Sequence, residues 1–237
     1  MLELQKNSKI MIVVAHPDDE VLGLGATLHK LIHEKSAIVH VVILGEGITS
    51  RSEKRDIEVW QKELEKHKQN IHSAKQIIGY QSLSLYSFPD NRFDSVPLLD
   101  IIKSIESEKN KFKPDIVFTH HFGDLNIDHQ RTFDAVMTAF RPLPEESKVS
   151  ILTFETPSST EWQVNSDGKR FNPNIYIEIS EQNLKAKIDA MECFEFEKRK
   201  YPHPRSPEGL KILAQHNGIN VGIEYAEAFC IIRHIER

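Results

Sequence analysis

The apolar run Ile10-Met11-Ile12-Val13-Val14 leads straight into His16-Pro17-Asp18-Asp19-Glu20. A strand with almost no polar alternation is covered on both faces, which implies a parallel sheet with helices above and below it. Open parallel sheets bind ligands beyond the carboxyl ends of their strands. The imidazole and carboxylates therefore gather where such a fold places its chemistry, and His16 and Asp19 read as metal ligands.

The pattern continues along the chain. Val21, Leu24, Leu28, Leu31 and Ile32 recur at helical spacing ahead of a second apolar run at 38–44. Ile57, Trp60, Leu64, Ile71, Ala74 and Ile78 predict a long helix closed by Gly79, with Trp60 in the core and a short strand after it at 82–86. A helix near 98–105, a strand at 115–119 running into His120 and His121, a helix at 128–140 and a strand at 150–154 follow. A polar segment then extends through Gly168, followed by a strand at 175–179 and a charged helix from about 180 to 199. His29, His33, His67 and His72 fall in charged helical stretches and are expected at the surface without a role. The expected fold is a Rossmann-like three-layer α/β/α arrangement with a mostly parallel sheet, formed by 1–237 as one domain.

Charge and composition exclude several classes. The formal charge is −5, Lys and Glu are intermixed, and no basic block occurs, so nucleic acid is not expected as a partner. No apolar stretch approaches the ~20 residues of a membrane-spanning helix, and the amino terminus has no apolar leader, so no membrane insertion and a cytoplasmic location are expected. Cys193 and Cys230 occur singly, not at thiolate-zinc spacing, and read as buried small hydrophobes. Gly23-Leu24-Gly25 lacks the third glycine of a dinucleotide fingerprint, since Leu28 stands there, and is read as allowing close packing of helix on sheet. Homo-oligomerisation is compatible with all of this.

His129, just beyond the strand at 115–119, is taken as a third ligand. Two imidazole nitrogens and one carboxylate suit Zn²⁺ and leave a position for water, although Fe²⁺ or another divalent metal is accepted by the same set. The plain alternative for Asp18 or Asp19 is a helix cap.

The strings Ala15-His16-Pro17-Asp18-Asp19-Glu20 and Asp124-Leu125-Asn126-Ile127-Asp128-His129 resemble the PIG-L/LmbE family of zinc-dependent deacetylases that act on N-acetylated sugars. Segments 154–162 and 202–206 resemble one subgroup of it. The resemblance implies His16, Asp19 and His129 as zinc ligands, Asp18 as general base, and Glu20 behind them. Many members carry a histidine three residues before the last ligand, where this chain has Asn126. As the corresponding catalytic residue, Asn126 would support an oxyanion less strongly, with His120 or His121 compensating. Arg51 is implied as a clamp for sugar hydroxyls or a phosphate. Asp90 and Asn91 follow the third strand, where they suit vicinal hydroxyls; His203 and Arg205 are expected to rim the pocket, and Trp162 offers a stacking surface. The function so implied is removal of the N-acetyl group from an N-acetylhexosamine-type sugar or glycoconjugate, releasing acetate and a free amine. The alternatives are a metal-dependent hydrolase of another bond, such as a phosphoester, and a catalytically silent sugar- or nucleotide-binding module.

Overall fold

The computed structural model describes residues 7–146, 148–164 and 168–235, so residues 165–167 of the expected polar segment lie outside it. Seven strands form one sheet: β1 (Lys9–Val14), β2 (Ile38–Gly45), β3 (Ser82–Phe88), β4 (Ile116–His120), β5 (Ser150–Phe154), β6 (Ile175–Glu178) and β7 (Ala226–Arg233). Their spatial order is β3-β2-β1-β4-β5-β7-β6, parallel from β3 through β5, with β7 antiparallel to both β5 and β6. The helices are α1 (Asp19–Lys35), α2 (Gln61–Ile78), α3 (Leu98–Phe112), α4 (Ile127–Ala139), α5 (Glu181–Met191) and α6 (Pro207–Ile219).

The unbroken apolar character of β1 has its expected cause. Ile10, Ile12 and Val14 join a core made with α1, α2, α5 and α6, whereas Met11, Val13 and Ala15 join a second core with α3 and α4. Helices therefore cover both faces, and the fold is the three-layer α/β type. The strand order reverses between β1 and β4, so the loops after these two strands flank the crevice where such sheets hold ligands.

Gly23 is needed for this packing, because a Cβ there would lie 2.1 Å from the Phe154 ring of β5. Helix α1 is broken at Leu24 (φ −150°), and the carboxylate of Glu227 on β7 accepts from the freed Thr27 N at 2.6 Å and Ala26 N at 3.4 Å. Lys187 of α5 balances this buried carboxylate at 2.6 Å. Removing one partner strands the other charge away from water, so Lys187→Met should cost about 3–5 kcal/mol of unfolding free energy in a denaturant titration. Lys187→Met/Glu227→Gln should recover much of that loss; a single-variant loss under ~1 kcal/mol would show that the pair does not hold α1 to α5 and β7.

Two expectations are corrected. The charged helix ends at Met191 rather than near 199: the Glu197 and Lys198 amides donate to the Phe194 carbonyl in a turn that buries Phe194 fully in the core and carries Glu197 to the cleft described below. Helix α2 begins at Gln61 rather than near Ile57. The Asp56 carboxylate accepts from the Glu58 and Val59 amides and holds a turn there, leaving Ile57 exposed and Trp60 only half-buried. The carboxyl-terminal α6 and β7 add to the expected elements, and β7 enters antiparallel between β5 and the edge strand β6.

Candidate active site

Beyond the carboxyl end of β1 the chain turns sharply into α1. Asp18, the residue before the helix, has φ 106°, a left-handed conformation that Asp tolerates better than most residues. Its amide donates to Glu20 Oε2 at 3.2 Å, and Glu20 is fully buried, which pushes its carboxyl up to about 7. The His16 amide donates to Asp19 Oδ2 at 2.8 Å, so the spacing His16-x-x-Asp19 fixes a carboxylate beside an imidazole within one turn.

The loop after β4 brings the second motif alongside. Gly123 is required for its path, since a Cβ there would lie 2.0 Å from the Lys169 carbonyl oxygen. Asn126 caps α4, its Oδ1 accepting from the Asp128 amide at 2.8 Å, and His129 falls in the first turn of that helix.

His16, Asp19 and His129 converge, one ligand atom from each lying within 4.8 Å of the others. His16 Nδ1 is 3.5 Å and His129 Nε2 3.3 Å from Asp19 Oδ2. A tetrahedral site with bonds of ~2.0–2.2 Å has ligand-to-ligand edges of about 3.3–3.6 Å, so both edges to Asp19 fit such an ion. The outer nitrogens each face a buried carboxylate, the usual setting of metal-binding imidazoles. His16 Nε2 pairs with the fully buried Asp128 at 2.9 Å, and His129 Nδ1 faces Asp124 Oδ1 at 3.0 Å. Asp128 is itself held by the Phe93 amide at 2.8 Å, and Asp124 by Ser159, Thr160 and the Asn126 amide.

The electrostatics favour a cation. Burial works against charge on His129, yet Asp19 and Asp124 beside it raise its pKa to about 9. Burial likewise opposes charge on His16, but Asp128 and Asp19 outweigh it and hold the ring well above its ordinary value. Burial would raise Asp19, but the imidazoles of His129 and His120 keep it well below the usual carboxylate range. Asp128→Asn should weaken divalent-metal binding by about 10–100-fold in a competitive-chelator titration, because it removes the charge that orients His16; unchanged affinity would mean that Nδ1 of His16 is not a ligand.

His16, Asp19 and His129 line a cleft of about 230 Å³. Most of the predicted residues reach it: His16, Asp18, Asp19, Arg51, Asp90, Asn91, Asn126, His129 and Arg205. His203 does not. Its Nδ1 accepts from the Arg205 amide at 3.2 Å, and its ring packs edge-on against Trp162 at 5.7 Å, away from the cleft lining, because the turn before α6 spends it on local structure. Asn126 Nδ2 donates to Asn91 Oδ1 at 2.9 Å, and Asn91 in turn donates to Ser50 and Asp90. Arg205 meets Asp18 itself: its Nη1 donates to Asp18 Oδ2 at 2.9 Å, and its Nε donates to Ser158 Oγ at 2.7 Å.

Neither His120 nor His121 lines the cleft beside Asn126. The buried His120 accepts the Ala15 amide at Nε2 (2.9 Å), stacks on His129 at 3.9 Å, and is kept neutral by burial, which lowers its pKa to about 3. His121 pairs with the Lys169 carbonyl and is not part of the lining. His67, expected at the surface, is instead 2% exposed and lines the cleft between Phe194 and Phe196. Burial, with Arg51 nearby, lowers its pKa to about 4. The signal was present, for His67 fills the gap in the stripe Trp60, Leu64, Ile71, Ala74 and Ile78.

The profile of the family described as PIG-L, GlcNAc-PI de-N-acetylase, matches residues 11–140, more than half of the chain and both motifs. The chain belongs to the PIG-L family. A relative of this PIG-L member, the uncharacterised deacetylase YaiS of Escherichia coli K-12, is 29% identical over 191 residues, spanning 78% of this chain and 90% of that protein. Among solved structures, the N,N'-diacetylchitobiose deacetylase of Pyrococcus horikoshii superposes with a TM-score of 0.75 at 19% identity, over 98% of this chain and 87% of that one. GalB, the 4-carboxy-2-hydroxymuconate hydratase of Pseudomonas putida KT2440, superposes with a TM-score of 0.71 at 21% identity, over 97% and 99%. The fold is therefore shared with a hydratase as well as with deacetylases, and the reaction has to be read from the site.

Proposed function

We propose that this protein is a metal-dependent deacetylase that hydrolyses the acetamide of an N-acetylhexosamine-type sugar, releasing acetate and a free amine. The observation that carries the reading is the convergence of His16, Asp19 and His129 beside a carboxylate, Asp18, that lies outside the ligand trio and opens on the same cleft. Family membership and the named deacetylase relative support it. These three residues would hold the ion, zinc by donor type, and such an ion polarises a carbonyl and brings water toward a pKa of ~7.

The remaining work falls to the chain. Arg205 holds Oδ2 of Asp18, and Oδ1 is left without a hydrogen-bond partner among the described residues. Burial raises the Asp18 pKa well above its ordinary value, and the Arg205 guanidinium opposes that rise. A base so tuned takes a proton from the attacking water and returns it to the departing nitrogen. Asn126 Nδ2 has one hydrogen on Asn91, and its second is available to a substrate oxygen. Asp90 and Asn91 offer an acceptor and a donor for sugar hydroxyls.

The experiment is acetate release by metal-loaded protein from free, nucleotide-linked and lipid-linked N-acetylhexosamines. Release from any one supports the reading and names its substrate class. Silence across them together with cleavage of a phosphoester would overturn it.

A further inference from the structure

Arg51 and Arg205 both reach the cleft, and each commits part of its guanidinium to one carboxylate. Glu197 stands between them: its Oε1 accepts from Arg51 Nη2, and its Oε2 accepts from Arg205 Nη1 at 3.0 Å. Arg51 Nη2 also donates to the Phe196 carbonyl at 3.0 Å, and Arg205 spends its other contacts on Asp18 and Ser158. Glu197 itself lines the cleft, brought there by the early end of α5.

From this arrangement we infer that the cleft selects uncharged N-acetyl sugars against phosphorylated ones, with Glu197 as the specificity-determining residue. The inference rests on the deacetylase reading above and names the substrate class of that site. A sugar hydroxyl can donate to Glu197 while its oxygen accepts from a neighbouring guanidinium N–H, so an uncharged ligand fits the network without breaking it. A phosphate dianion has no hydrogen to give. It meets the Glu197 carboxylate as a like charge wherever it approaches the Arg51 or Arg205 guanidinium that this carboxylate already holds. A cleft of about 230 Å³ is smaller than the ~300–1,000 Å³ of pockets that enclose larger ligands, so one sugar ring is held inside and the remainder of a glycoside lies outside.

The test compares kcat/KM of the metal-loaded protein for N-acetylglucosamine with that for its 1-phosphate and 6-phosphate. Wild type should prefer the free sugar by about tenfold or more, as expected where a like charge is met. Glu197→Gln keeps the side-chain shape, removes the negative charge that the two arginines share, and should shrink that preference about tenfold for one of the phosphates. Adding Arg51→Gln should then remove the gain. Glu197→Asp, whose shorter side chain cannot span both arginines, should shift the preference in the same direction and serves if the Gln variant does not fold. Equal use of free and phosphorylated sugar by wild type, or a preference unmoved in folded Glu197 variants, would overturn the inference alone. Turnover of none of the three sugars, alongside cleavage of another bond, would overturn the deacetylase reading and this inference with it.

Discussion

Asp18→Asn is expected to lower acetate release by about 10²–10⁴-fold, the usual contribution of a positioned general base, while leaving bound metal unchanged. Asn tolerates the left-handed backbone that Asp18 occupies (φ 106°), so the turn into α1 should persist. The three converging ligand atoms belong to His16, Asp19 and His129, none of them touched by the substitution. Metal content by atomic emission and circular dichroism would separate a lost base from a lost fold. A variant that keeps metal and turns over within a few-fold of wild type would remove Asp18 from the chemistry.

His129→Ala should have the other large effect, loss of stoichiometric metal and with it all measurable turnover. The substitution removes Nε2, which lies 3.3 Å from Asp19 Oδ2, and leaves two ligands where three converge. It also leaves Asp124, which burial would raise but His129 holds well below its ordinary value, without that cation beside it. Asp124 keeps bonds from Ser159, Thr160 and the Asn126 amide, so the loop should stay in place. Full metal content in folded His129→Ala would show that another residue completes the site.

The alternation of β1 between two cores made the sheet and the position of the site readable from a short run of residues, because burial on both faces leaves an unmistakable apolar string. That His16, Asp19 and His129 belong together was implied by the family resemblance of the two motifs and not by spacing alone; the fold brings them together because both motifs follow strands that flank the reversal of strand order. His67 was misread because a histidine among lysines and glutamates looks solvated, while its helical phase, which places it on the buried face, was overlooked. Glu197 was hidden by an assumed helix; no local propensity announces that a charged segment will leave the helix to bury one phenylalanine and bridge two arginines. The role of Asp128 depends on a contact 112 residues away in sequence, with His16, which only the folded chain discloses.

The fold does not by itself choose the reaction, as the likeness to a hydratase makes plain. The central claim is amide hydrolysis, and its most direct test is to quantify acetate and primary amine in the same reaction of metal-loaded protein with N-acetylglucosamine or its glycosides. Equal amounts of the two, both abolished by Asp18→Asn, are the predicted result; acetate without amine, or neither product while another bond is cleaved, would contradict it.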